Sequence, residues 1–142
     1  MDPTVLVTAA STGLIEALTT QTWEQARTAM VGLWRRVHPN RAEAISEELA
    51  EVRREAIAAQ QRGELAVRHE LIVDWRGRLR RLLDADPSSA IELKRILDEV
   101  ITPMLSAEGS SMINNIVMNA HATGRSIVYQ AGRDVNINDS IS

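Results

Sequence analysis

Apolar residues recur every three or four positions along most of the chain up to residue 104, and this spacing predicts a series of amphipathic helices. The first helix is predicted over Pro3–Leu18, although Gly13 and several Thr and Ser residues are weak helix formers. A second helix begins after Thr22, which has the pattern of a capping box with Gln25. Pro39 ends this second helix.

Two longer helices follow, separated by Gly63. The first is capped by Asn40, and its apolar residues are spaced as in a heptad seam. The residues of that seam are Ile45, Leu49, Val52, Ala56 and Ala59. The second helix runs from Glu64 to about Asp84. The glycine between them favours an antiparallel hairpin, and a single bent helix of about twice the length is the alternative.

The composition of the chain changes near residue 106. A last amphipathic helix is predicted from Asp86, with Pro87 at its first position, to Pro103. Residues 109–142 then contain only two Arg and two Asp and are rich in Asn, Ser, Gly, Ile and Val. The sequence therefore predicts a helical bundle domain over residues 1–106 and a β-prone self-assembly tail over 107–142, with β structure from about residue 112.

Two internal repeats in the tail predict short strands. Residues 116–120 (IVMNA) return eleven residues later as 127–131 (IVYQA), and 124–130 return eight residues later as 132–138. Each Gly-Arg turn is followed by a β-prone run, which suggests stacked β-arches or a hairpin. A disordered terminus or an edge hairpin is the alternative.

In-register stacking of identical chains would pair every backbone amide of such a tail, and would add side-chain amide ladders and a dry apolar interface. We therefore predict a self-association segment. Its residues are Ile116, Asn119, Ile127, Val128, Tyr129, Gln130, Gly132, Val135, Asn136, Ile137 and Asn138.

The remaining composition argues against an enzyme. The chain has no cysteine, and its histidines, His38, His69 and His121, fall on three different predicted elements without a metal-binding motif. We therefore predict no catalytic residue, no metal and no cofactor. The net charge of −3 gives no reason to expect nucleic acid as a partner. The arginine-rich run 76–81 has one interpretation as a phosphate contact, but we favour a solvated helix face paired with acidic residues.

Targeting signals are equally sparse. The N-terminus has no basic region of the kind that begins a signal peptide. The apolar stretch at residues 4–18 includes Glu16 and is too short to cross a bilayer as a helix. Together with the absence of cysteine, these features lead us to expect a cytoplasmic protein with no membrane span.

The run Ile127-Val128-Tyr129-Gln130-Ala131-Gly132-Arg133-Asp134 resembles the bacterial amyloid signalling sequences, short C-terminal motifs related in pattern to the RIP homotypic interaction motif. The helical part is similar to small actinobacterial proteins that carry such a tail, through residues 23–27 (WEQAR), 33–39 (LWRRVHP) and 75–83 (WRGRLRRLL). The Gln and Gly of the motif core are matched by Gln130 and Gly132. The RIP-type pattern has Asn three residues after that Gly, where this chain has Val135 and places Asn136 one position later.

The resemblance implies homotypic β assembly between a sensor and an effector in prokaryotic immune or cell-death signalling. We expect a mostly α fold, with four or five helices in a bundle and a C-terminal β-forming tail. The expected function is that of a self-associating adaptor or signalling protein, forming a homo-oligomer or filament with itself or with a protein that has a matching tail motif. One alternative is a structural homo-oligomer whose tails form a closed β-prism. A weaker alternative is a nucleic-acid or regulatory binding module that uses the face of residues 76–81.

Overall fold

The computed structural model describes the backbone of residues 2–130 and the side chains of residues 2–119. Over this range the chain is mostly helical and has no strand. This confirms the helical fold that the sequence predicts for residues up to 106. The helices are α1 (Pro3–Leu18), α2 (Trp23–Val37), α3 (Ala42–Arg62), α4 (Leu65–Ala85), α5 (Ser89–Ile96), α6 (Thr102–Met104) and α7 (Ala107–Gln130). A 3-10 turn spans Pro39–Arg41, and a π-helical turn, Leu97–Ile101, joins α5 to α6.

Helix α1 lies at the centre of the fold. It contacts α2, α3, α4, α5 and α7, and almost every residue from Leu6 to Leu18 is buried. A helix that is apolar on all sides is stable only when other helices surround it. Its small residues allow close approach: a Cβ added at Gly13 would lie 2.8 Å from Cγ2 of Ile101 in the π-helical turn.

The hydroxyl groups on α1 are compatible with its burial because they bond within the helix. The Thr12 hydroxyl donates to the carbonyl oxygen of Thr8 at 2.8 Å, and the Ser11 hydroxyl donates to the same oxygen at 3.1 Å. Bonds of this kind satisfy a buried hydroxyl without a partner from another element. The Thr and Ser content that weakened the sequence prediction is therefore accommodated by local hydrogen bonds.

Helices α3 and α4 form the predicted hairpin rather than one bent helix. Gly63 ends α3 with φ of 66° and ψ of 29°, a left-handed conformation that glycine adopts without steric cost. The N–H of Glu64 then donates to the carbonyl of Ala59 at 2.9 Å. All five residues of the heptad-type seam on α3 are buried, as its spacing predicts.

Three of the predicted helix starts differ from the structure. Thr22 makes no side-chain capping bond, so the capping box does not form. Asn40 lies inside the 3-10 turn, and α3 begins after it at Ala42. The Asp86 carboxylate accepts the N–H of Ser88 at 3.1 Å, which places Pro87 in the turn before α5. Each polar residue lies near a helix end, but the local chain direction determines which N–H it reaches.

Two of the three tryptophans form the aromatic part of the core. Trp34 on α2 and Trp75 on α4 are buried, with ring centroids 5.7 Å apart and an interplanar angle of 74°, an edge-to-face contact. Trp23, the third tryptophan, is only half-buried. Its ring is flanked by the guanidinium groups of Arg27 and Arg53, whose carbons lie 4.7 and 4.8 Å from the centroid.

The described part of the predicted β tail is helical. α7 extends through residues 112–130, where the repeats predicted short strands, and residues 131–142 lie outside the described part of the chain. Gly109 and Ile113 are buried, and Ile116 and Val117 pack partly against the core. Their spacings of four and three residues are those of a helix face. The segment is rich in poor helix formers, and its strand prediction rests on that composition and not on this helical period.

Candidate functional site

The predicted self-association residues fall on both sides of the limit of the described chain. Ile116 is partly buried on α7, and Asn119 is exposed on the same helix. Four more, Ile127, Val128, Tyr129 and Gln130, belong to the last helical residues of α7. The other five, Gly132, Val135, Asn136, Ile137 and Asn138, lie outside the described residues.

The beginning of α7 is firmly attached to the helical body, residues 2–106. The Ser106 hydroxyl oxygen accepts the N–H of Gly109 at 3.2 Å, which caps the helix start, and Glu108 follows in the first turn. The Ser110 hydroxyl donates to the carbonyl of Thr102 at 3.2 Å. One turn later Ile113 is 3% exposed, so the first turns of α7 belong to the core.

Burial decreases along α7 after this anchor. Val117 still packs partly on the core, whereas Met118 is 67% exposed and Asn119 is exposed. At a rise of about 1.5 Å per residue, Gln130 lies roughly 25 Å from Ile113 along the helix axis. The helix therefore joins the folded body at one end to the predicted self-association segment at the other.

The arginine run 76–81 does not form one continuous surface. Nε of Arg78 lies 3.2 Å from an Asp74 oxygen, and its Nη1 bonds the carboxylate of Glu48. Arg80 faces another direction, donating to the Thr4 hydroxyl at 2.9 Å, with its Nε 3.7 Å from Asp84. These two arginines agree with the interpretation of a helix face paired with acidic residues.

Ion pairs at another surface connect α2 to α5. The Glu92 carboxylate accepts a hydrogen bond from Nη2 of Arg95 at 2.5 Å and lies 3.4 Å from Nη1 of Arg36. The bond from Arg95, together with the charges of both arginines, lowers the pKa of Glu92. The same bond raises the pKa of Arg95. The arrangement holds Glu92 ionised and connects two helices at the edge of the bundle.

The three histidines stay on separate elements, as the sequence suggests. His38 is exposed at the end of α2, His69 is exposed on α4, and His121 belongs to α7. Within the described residues, no group of three or more His, Cys, Asp or Glu side chains is placed to hold a metal ion. None of the helices in residues 2–130 combines the length and apolarity needed to cross a membrane.

No protein-family model, curated protein or solved structure matches the chain.

Proposed function

We propose that this protein self-associates through residues 127–138, by β pairing between identical chains, and that each subunit displays its helical body around the assembly. The observation that carries the proposal is the run from Ile127 to Asp134, with its Gly-Arg repeat, at the far end of a helix whose first turns are part of the core. The resemblance of this run to bacterial amyloid signalling sequences supports a role as an adaptor or signalling protein.

The side chains of the segment suit a stacked β structure. Gln130, Asn136 and Asn138 carry amides that bond to their own copies in the layers above and below, while Val128 and Ile137 supply apolar contacts. Gly132 is the first residue of the second repeat unit, where a tight turn after the first unit requires a positive φ that costs little only for glycine. Assembly by this route uses identical chains as both template and partner.

The helical conformation of α7 is compatible with this proposal because its last turns have low intrinsic helix propensity. Gly124 costs about 1 kcal/mol relative to alanine inside a helix, and the β-branched residues Thr123, Ile127 and Val128 favour strands. The first turns of α7 are held instead by the buried side chain of Ile113. A change from helix to strand beyond residue 119 therefore leaves the first turns of α7, around Ile113, packed on the core.

The consequence of assembly is proximity of the helical bodies. Tethering each body to a shared β structure turns contacts between bodies into intramolecular ones, at an effective concentration set by the connecting segment. A second protein with a matching tail motif joins the same structure by the same backbone pairing. In this proposal, such a partner brings the signal that recruits the chain in immune or cell-death signalling, as the resemblance implies.

The test compares the full-length protein with single variants inside the segment. Gly132→Val blocks the turn, and Val128→Asp and Ile137→Asp place a like charge in every layer. We expect ordered, thioflavin-binding filaments from the unaltered chain by sedimentation and electron microscopy, and none from the variants. Asn115→Asp is the matched control, because it adds the same charge at an exposed position of α7 outside the segment. Before assembly, circular dichroism should show the same helical signal in the unaltered chain and in all the variants.

Two results would contradict the proposal. Ordered assemblies that persist after deletion of residues 120–142 would place self-association in the helical body. Discrete oligomers of fixed mass, with no thioflavin response, would replace the open filament by the closed β-prism.

A further inference from the structure

A cleft between α4 and the corner that joins α2 to α3 gathers basic side chains from three elements. His38 comes from the end of α2, Arg41 from the 3-10 turn, and Arg78 and Arg81 from successive turns of α4. The cleft has a volume of about 370 Å³, within the range of small-molecule sites. We call it the arginine cleft.

Arg78 is held in one position at the wall of the arginine cleft. Its Nε bonds Asp74 at 3.2 Å, its Nη1 bonds Glu48, and its guanidinium carbon lies 4.9 Å from the centroid of the Trp75 ring. Two carboxylates and an aromatic face restrict the side chain before any ligand arrives, which lowers the entropic cost of binding. Its Nη2 takes part in none of these bonds and retains N–H groups that can donate to a ligand.

Arg41 and Arg81 face the same cleft from two directions. Both are exposed, and no carboxylate within residues 2–119 lies within 4 Å of either guanidinium. Three guanidinium groups therefore meet two carboxylates, Asp74 and Glu48, and the surroundings of the cleft keep a net positive charge.

We infer that the arginine cleft binds a small phosphorylated molecule through its phosphate group. Guanidinium groups present pairs of N–H donors that match the oxygens of a phosphate, and such charge-assisted bonds are the stronger kind. Arg78 provides a fixed donor, while Arg41 and Arg81 close on the anion from the 3-10 turn and from α4. The ligand joins the corner of α2 and α3 to α4, and none of the residues that line the cleft belongs to the segment 127–138.

The test uses the full-length protein with inorganic pyrophosphate and with ADP as probes, by isothermal titration at constant ionic strength. We expect saturable binding with one site per chain. Arg41→Gln and Arg81→Gln should each weaken it about tenfold, since each removes bonds to a charged group. Arg80→Gln is the matched control, because its side chain faces Thr4 and Asp84 and it removes the same charge from the same helix. This control should change affinity less than about twofold.

The outcomes separate the alternatives. Equal affinity for both probes identifies the phosphate groups alone as the recognised part, and tighter binding of ADP adds contacts to the nucleoside; both results support the site. Absence of saturation at millimolar probe overturns it. The proposed site is also overturned if Arg80→Gln loses as much affinity as Arg81→Gln, because diffuse surface charge then accounts for the binding. Tight binding of duplex DNA that depends equally on Arg76, Arg80 and Arg81 would replace it by a nucleic-acid surface.

Discussion

Helices α1 and α7 contact each other and are both rich in small and β-branched residues, yet they are held in place differently. α1 is covered by neighbours on every side, whereas only Gly109 and Ile113 are buried between residues 107 and 119 of α7. Neither helix gains much from intrinsic propensity. Burial therefore determines helical structure in both, and in α7 the burial decreases after the first turns.

The two ends of α7 therefore have different roles. The first turns cover the side of α1 that contains Gly13, because the Cβ of a larger residue there would lie 3.4 Å from Cδ1 of Ile113. The later turns extend past Val117, the last partly buried residue within 107–119, toward the proposed assembly segment.

Truncation separates the anchor from the segment it carries. A chain ending at residue 106 loses Ile113, Ile116 and Val117, and the lost burial should reduce the free energy of unfolding by about 3–5 kcal/mol. A chain ending at residue 119 keeps these contacts and should stay within about 1 kcal/mol of the full-length protein. Urea unfolding followed by circular dichroism measures both. Equal stability of the two truncated chains would show that the first turns of α7 add nothing to the stability of the core.

Side-chain truncation compares the two helices directly. Leu14 on α1 is 0% exposed, so Leu14→Ala should cost about 2–5 kcal/mol through lost burial and a cavity. Met118 on α7 is 67% exposed, and Met118→Ala should change stability by less than about 0.5 kcal/mol. The measurement is the midpoint of urea unfolding, compared between variants whose unfolding free energy depends on urea concentration with the same slope. A large loss from Met118→Ala would mean that this residue is covered in solution, by a second copy or by another part of the chain.

Glycine substitution tests how closely α1 is packed. Gly13→Ala places a methyl group 2.8 Å from Cγ2 of Ile101 and should destabilise the fold by about 1–3 kcal/mol. Gly32 lies inside α2 with nothing within 4 Å of an added Cβ, so Gly32→Ala should stabilise it by about 0.5–1 kcal/mol. In thermal unfolding, Gly13→Ala should lower the melting temperature and Gly32→Ala should raise it. Two shifts of the same sign would show that propensity, and not space, decides at Gly13.

Much of the helical body follows from local sequence patterns. The seam on α3 and the glycine at position 63 predict a buried face and a hairpin, because both depend on residues close together in the chain. The start of α7 does not follow from such local patterns, because its helical period is short and its composition is poor in helix formers. Its stability comes from Ile113 packing near Gly13, a contact across a hundred residues that local propensity does not represent.

The arginine cleft shows a similar limit. Arg78 and Arg81 are three positions apart on one helix, so a shared face could be predicted from spacing. Arg41 joins them only because the turn after α2 lies beside α4 in the folded chain. The sequence interpretation of the run 76–81 as paired with acidic residues holds for Arg78 and Arg80, and Arg81 belongs to the cleft instead.

The smallest expected change in stability is at the surface ion pairs of α5. These pairs involve neither α1 nor α7, so they give a reference value for a surface contact. Bonding to Arg95 and the charges of Arg95 and Arg36 lower the pKa of Glu92 in the folded protein. A carboxyl with a lowered folded pKa stabilises the fold fully above its unfolded pKa of about 4.3, and this contribution is lost as the pH falls through the folded value. Glu92→Gln should therefore cost less than about 1 kcal/mol at neutral pH, and the difference from the unaltered chain should shrink as the pH falls below the unfolded pKa.

Urea midpoints of the two proteins across this pH range measure the effect. Glu55→Gln is the control, because Glu55 is exposed and makes no ion pair within residues 2–119, and its substitution should leave the midpoints nearly unchanged. A Glu92→Gln penalty that stays constant on acidification would mean that the side chain acts by packing and not by charge. A loss of stability as large as that of Leu14→Ala would mean that a surface ion pair contributes as much as a buried side chain. Burial would then no longer distinguish the first turns of α7 from the later ones.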